Sequence, residues 1–362
     1  METSRMEISR LKLVAPAALL FNTAIACAQS SVTLFGVVDA AFEYSSKTAS
    51  STGGNAGKTF ALVDSGVGPS SFGLAGKEDL GSGARAEFML VSGISVANGG
   101  FKSSNGNFFG RQAWVGLGGT YGEIKAGEQY SPFFVALDES DPRQYSEFGS
   151  ALVLYVSNVN VTGAFNSNAV SYTSPKLMGF QGSAMFALGG EAGNFSAGRQ
   201  WSASLKYQSG AVLVNAAIYD GSGGGSVQTP IPSTRQFEGR TVGAAYTFGS
   251  LTVKGSFVNY KVAGSQNDNI YGGGIKYQVT PSVDVNSGVW YSSDRDDTAN
   301  HSLMMAAGVD YYLSKQTVLY AQIGTVSNHG DMKTGLGVSD LSFLTGAPGT
   351  TVGGNLGIRR IF

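Results

Sequence analysis

From Val32 to the final residue, apolar and polar side chains alternate in segments of about ten residues, the period of strands with two unlike faces. In the stretch 240–248, Val242, Ala244, Tyr246 and Phe248 share one face, while Thr241, Gly243, Ala245 and Thr247 share the other. The next segment repeats the pattern, with Leu251, Val253, Gly255 and Phe257 opposing Thr252, Lys254 and Ser256. Helix periodicity is sustained nowhere. The longest apolar stretch, Leu13 to Phe21, is interrupted by Pro16 and falls short of the roughly 20 residues that a membrane-spanning helix needs.

Composition decides what the two faces meet. A soluble sandwich also alternates, but its outward face carries more charge than 14% charged residues supply, against about 25% in an average chain. Lipid on one face and water on the other fits better. The 21 Phe, 16 Tyr and 3 Trp supply more burial than a disordered chain holds. A balance of 24 Lys and Arg against 25 Asp and Glu leaves no basic surface for nucleic acid.

The connections are of two kinds. Ser209-Gly210, Gly249-Ser250, Thr280-Pro281 and Ser314-Lys315 are tight turns, whereas 221–238, 293–301 and 327–349 are long and rich in small polar residues. Turns at one end and loops at the other is the asymmetry of an outer-membrane barrel. Tyr207, Tyr246, Phe248, Tyr277, Tyr311 and Tyr312 precede the turns, where an interfacial aromatic girdle belongs. Sixteen segments are expected, among them 31–44, 60–77, 84–93, 107–117, 122–130 and 350–362. The fold class is therefore all-β, a 16-stranded antiparallel transmembrane barrel, too wide for side chains to fill.

Ahead of it, Arg5, Arg10 and Lys12 precede the apolar stretch and Ala26-Cys27-Ala28 follows it, as in a cleaved secretory signal. The expected organisation is a leader over 1–28 and a barrel over 29–362. Cys27 leaves with the leader, unless it carries a lipoprotein's acyl chain, for which Ala24-Ile25-Ala26 is a poor approach. The remaining chain has no thiol for a disulfide, for catalysis or for a metal.

The barrel sequence resembles the Gram-negative trimeric porins, particularly the group of the Burkholderia and Bordetella lineages. The likeness begins with Ser31-Val32-Thr33-Leu34-Phe35-Gly36-Val37-Val38-Asp39-Ala40 and includes Phe72-Gly73-Leu74-Ala75-Gly76-Lys77-Glu78-Asp79-Leu80-Gly81. It is strongest in Phe109-Gly110-Arg111-Gln112-Ala113-Trp114-Val115-Gly116-Leu117 and in Asn168-Ala169-Val170-Ser171-Tyr172-Thr173-Ser174-Pro175. The chain ends Arg359-Arg360-Ile361-Phe362, and a terminal Phe is that family's assembly signal. The resemblance implies a homotrimer in the outer membrane, bounded by lipid and lipopolysaccharide, inserted by the barrel assembly machinery, and passing ions and small hydrophilic solutes without a cofactor.

It further implies that the third long loop, here 129–165, folds into the barrel and narrows the pore. Asp138, Asp141, Arg143 and Glu147 are its charged candidates for the constriction, with Glu147-Phe148-Gly149 matching the loop's usual acidic tip. Several wall bases of the family are replaced: Ser71 stands for an Arg, Glu128 for another, and Phe165 for a third. Strand parity leaves Lys77, Arg85 and Arg111 as pore-lining bases, with Glu87 on the face of Arg85. A wall lacking bases at Ser71, Glu128 and Phe165, with Glu147 still on the loop, is expected to be weakly cation-selective or nearly unselective.

Other classes find little support. His301 and His329 are the only imidazoles and fall in expected outer loops, away from the membrane-facing surface a lipid hydrolase would use. No nucleophile elbow or phosphate-binding loop occurs in its required context. Asp294, Asp296 and Asp297 form an acidic run of the kind that is usually solvated. Two alternatives to a general porin stand beside it: a channel for one particular organic solute, and a non-conducting adhesin or structural barrel.

Overall fold

The computed structural model describes residues 31–104, 106–159, 164–225, 235–339 and 341–362. The expected leader lies outside them. Strands β1 (Ser31–Ala49), β2 (Asn55–Asp64), β3 (Ser71–Gly81), β4 (Ala84–Gly93), β5 (Gln112–Gly119) and β6 (Gly122–Tyr130) come first. Two helices, α1 (Pro132–Ser140) and α2 (Ala151–Asn158), precede β7 (Phe165–Thr173), β8 (Phe180–Ala187), β9 (Gln200–Ser209) and β10 (Val212–Gly221). Then follow β11 (Phe237–Phe248), β12 (Leu251–Val262), β13 (Asn267–Thr280), β14 (Val283–Asp294), β15 (His301–Tyr312) and β16 (Thr317–His329). A single turn of helix, α3 (Leu341–Leu344), leads into β17 (Gly349–Ile361).

These strands make sixteen staves, because β2 and β3 succeed one another along the same edge of β1. All the ladders are antiparallel, and β1 closes on β17 from Val37↔Ile361 to Ser45↔Gly353. Gly36 and Phe362 extend that seam by exchanging backbone hydrogen bonds of 2.9 and 3.0 Å. Closure leaves no sheet edge, which lipid would leave without hydrogen-bond partners.

The expected single segment 60–77 is broken. Ser65 takes a left-handed conformation (φ 71°), and the Asp39 carboxylate accepts the backbone N–H groups of Gly66, Val67 and Gly68 at 3.3, 3.1 and 2.8 Å. Tyr320 Oη also donates to that carboxylate. Three convergent N–H donors suit a buried anion better than a ladder does, and residues 65–70 turn aside into the lumen. The expected strand 107–117 starts later, at Gln112, because Ser104 Oγ holds the preceding loop through Gly110 N (3.2 Å) and Asn107 O (2.9 Å).

Side-chain parity follows the alternation. Val242 and Val253 are 51% and 40% exposed on the outer face, whereas Thr241 is buried and Lys254 reaches inward to Glu139 O at 2.9 Å. Tyr246, Phe248, Tyr277 and Tyr311 are exposed at the turn end, as the girdle requires. Tyr312 departs from it: consecutive strand residues face opposite ways, and its hydroxyl donates inward to Asp284 Oδ2 at 3.1 Å.

A charge placed on the outer face meets lipid, and one on the inner face meets water. Val242→Arg is therefore expected to lose about 2–4 kcal/mol and most of its membrane insertion, while Thr252→Arg inserts normally. Heat-modifiability on gels and protease protection measure the difference; equal insertion of the two variants would contradict the facing.

Candidate functional site

The site is built by residues 131–159, which leave β6 and fold into the lumen. Ser131 caps α1 by accepting from Phe134 N (3.1 Å), and Pro132 is preset for the first turn. The helix then lies along β9 to β12. Phe133 is fully buried, its ring centroid 6.2, 6.4 and 6.3 Å from those of Tyr219, Phe237 and Tyr260. Lysines of the wall grip the polar side of the same segment: Lys206 meets Glu139 at 2.6 Å, and Lys276 Nζ donates to Gln144 Oε1 at 2.9 Å.

Beyond α1 the chain turns sharply. Asp141 holds the turn, its carboxylate accepting Tyr145 N at 2.7 Å and Ala151 N at 3.2 Å. Arg143 Nη2 and Ser146 Oγ both donate to Gln322 Oε1 on the far wall. Glu147 N donates to Val67 O (2.9 Å) on the segment that Asp39 turned inward. Phe148 is fully buried against Gly324, and Gly149 (φ 56°) leaves no room for a side chain, since a Cβ there would sit 2.4 Å from Ala306 Cβ. Ser150 then caps α2 through Leu152 N at 3.1 Å. The loop thus crosses the lumen and is anchored at both ends of its path.

Two adjoining cavities lie beside the loop. One, of about 300 Å³, is lined by Gln112, Trp114, Glu123, Lys125, Glu139 and Lys206 among others. The other, of about 400 Å³, takes Arg111, Asp138, Arg143, Glu147, Asp310 and Arg359. Tyr130 and Val135 belong to both.

Of the residues expected at the constriction, Arg111, Asp138, Arg143, Glu147 and Phe165 line the larger cavity together, with the Arg111 guanidinium 5.9 Å from the Phe165 ring centroid. Arg85 and Glu87 pair at 2.6 Å within a charged group of the turn-side wall that includes Glu123, 3.8 Å from Arg85. Lys77 is the partner of Glu87 in the β3–β4 register. Ser71, Glu128 and Asp141 stand elsewhere. Ser71 lies in register with Gly93 and borders neither cavity. Glu128 pairs with Ala113 on the register of the outward Val115 and Leu117, so parity turns it from the lumen. Asp141 is buried and acts on the backbone of its own loop rather than on the pore.

Burial governs the charges of the loop tip. It pushes the Glu147 carboxyl up to about 8, against the pull of Lys102 and Arg111, and Glu147 Oε2 has no partner among the described residues. Burial also brings Arg143 down to about 10, which leaves it cationic at neutral pH. Asp310 and Arg359 complete the lining and are not among the residues expected from sequence. The signal for Arg359 was present in parity, because Leu356 and Ile358 face outward and make Arg359, not Arg360, the inward residue. His301 and His329 stand at strand ends, their rings stacked with centroids 4.5 Å apart.

Residues 15–331 match the family model described as Gram-negative porin. Outer membrane porin protein 32 of Delftia acidovorans is 28% identical over 336 residues, covering 88% of this chain and 90% of the relative. An outer membrane porin protein of Bordetella pertussis is 32% identical over 181 residues, 47% of this chain and 46% of the relative. The solved structure of an anion-selective porin from Comamonas acidovorans shares the fold, with a TM-score of 0.77 and 24% identity over 92% of this chain and all of that one.

Because Asp141 satisfies two backbone donors at the loop's turn, Asp141→Ala is expected to weaken loop docking by about 2–3 kcal/mol. Open-channel noise should rise and protease should cut within 141–151; an unaltered, quiet channel would show that the turn holds without it.

Proposed function

This chain belongs to the Gram-negative porin family, and on that premise we propose that its pore favours small anions and that it assembles as a homotrimer. It is an outer-membrane β-barrel forming a channel for passive diffusion of solutes. Family membership marks it as a channel rather than an enzyme.

One observation carries the selectivity. Arg111, Arg143 and Arg359 line the larger cavity and none forms an ion pair among the described residues. Glu147, their acidic neighbour on the loop tip, is held mostly protonated at neutral pH by burial. Asp138 and Asp310 offset part of the positive charge, so the preference is modest. This replaces the cation lean anticipated from Ser71, Glu128 and Phe165, because Arg359 enters from the last strand and Glu128 faces away. The Comamonas relative is named as anion-selective, which agrees with the proposal. For assembly, the outward cluster of Phe101 and Phe108, 6.2 Å apart and both exposed, supplies an apolar surface for a neighbouring subunit. Lipopolysaccharide and the barrel assembly machinery are its expected partners as for other porins.

Reversal potentials in a potassium chloride gradient test the selectivity, since fixed charge in a narrow pore acts within a screening length of about 8 Å at physiological salt. The sign at pH 7 should be that of an anion-preferring channel, and Arg359→Gln should move it toward cations. Raising the pH through about 8 ionises Glu147, adds a negative charge beside Arg111 and lowers anion preference. Glu147→Gln should abolish that pH step. A cation-preferring wild type would refute the proposal, and absence of any current would point to the non-conducting barrel.

A further inference from the structure

The larger cavity is lined by two chemically unlike sets of side chains. The first is the cationic set. Among the described residues, Arg111 Nε, Arg143 Nε and Nη1, and Arg359 Nε are buried without an acceptor, and the buried Tyr145 hydroxyl is likewise without a partner. Buried N–H groups that lack an acceptor are unfavourable, and an anion in the cavity would relieve the uncompensated charge they belong to. The second set is apolar. Phe134, Leu152 and Val156 are only partly buried by the loop packing and present their remaining surface to the same cavity, together with Phe165.

Passive flow of hydrated ions has no need of that second set. The adjoining cavity differs in its charges, which are paired with one another: Lys125 with Glu123 at 3.0 Å and Lys206 with Glu139 at 2.6 Å. In the larger cavity two helices of the inserted loop bring apolar side chains beside three arginines. Chloride, sulfate or phosphate would satisfy the guanidinium groups and leave the apolar surface wet. A neutral apolar solute would leave the guanidinium groups unanswered. Asp138 and Asp310, which border the same space, repel a second negative charge on the solute.

We propose that this cavity is a binding site for a small organic monocarboxylate with an apolar body about the size of one aromatic ring. The guanidinium groups of Arg111, Arg143 and Arg359 hold the carboxylate, and the body lies against Phe134, Leu152, Val156 and Phe165. About 400 Å³ lies within the range of roughly 300–1,000 Å³ typical of small-molecule sites. The site deepens the pore reading and depends on it, since the solute reaches the cavity through the lumen. Transport of such solutes would then saturate, whereas that of chloride would not.

The test uses the full protein in planar bilayers with potassium chloride, to which benzoate, acetate or benzamide is added. Benzoate is expected to block the current in a saturable manner, at concentrations at least about tenfold lower than acetate, which has the charge without the body, or benzamide, which has the body without the charge. Arg359→Gln should weaken benzoate block by about tenfold or more, as loss of a charge-assisted hydrogen bond does. Leu152→Asn should weaken block by benzoate and leave the effect of acetate unchanged. Equal block by benzoate and acetate, or by benzoate and benzamide, would overturn the site while leaving the pore intact. So would a current indifferent to all three. If potassium chloride alone carries no current, the pore reading falls and takes the site with it.

Discussion

The seam between β1 and β17 is the constraint from which the rest of this structure follows. Lipid offers no hydrogen-bond partner to a peptide group, so a sheet survives there only when its first and last strands meet. Nine registered pairs from Val37↔Ile361 to Ser45↔Gly353 make that junction, and Gly36 with Phe362 prolongs it toward the turn end. Closing sixteen staves fixes a diameter too great for wall side chains to fill. The excess width is what an inserted loop can occupy.

The hydrophobic core of the molecule consequently lies inside the barrel, between the loop and part of its wall. Phe133, Leu137, Val153 and Leu154 of the two helices are buried with Tyr219, Phe237, Tyr260 and Trp290 of the strands. Lipid-facing side chains gain little from folding once the chain is in the membrane, because both states leave them in hydrocarbon. Packing of the loop inside the lumen is different, since it removes apolar surface from water. The loop is thus a structural element with a folded core, and the pore is the space that this core leaves free.

That arrangement ties the electrostatics of the channel to its packing. The inward turn of residues 65–70, set by Asp39, supplies Val67 O as the seat for Glu147, and the seat buries the Glu147 carboxyl. Burial suppresses its charge and leaves Arg111 without a compensating ion pair among the described residues. Acidic groups on the other side of the loop are spent differently. Glu139 is engaged by Lys206, and Asp141 by backbone donors, so neither presents its full charge to the passing solute.

Much of the barrel was legible in the sequence because strand alternation is a local property. A residue's face is set by its neighbours two positions away, and the outward Val242 and Val253 with the inward Thr241 and Lys254 show it. The terminal seam, the tight turns and the inserted loop were likewise readable from alternation, turn residues and family likeness. Helices α1 and α2, at nine and eight residues, are too short to impose a period, and they form where the barrel wall offers a surface to pack on. The break at Ser65 depends on Asp39, which is distant along the chain. The meeting of Arg111, Arg143 and Arg359 depends on three separate segments converging in one lumen. Sequence by itself determined which face of each strand meets lipid, because parity repeats every two residues. Only the tertiary structure decided which charges meet in the pore and which are silenced by burial, because charge interactions act through space and burial depends on the loop's packed position.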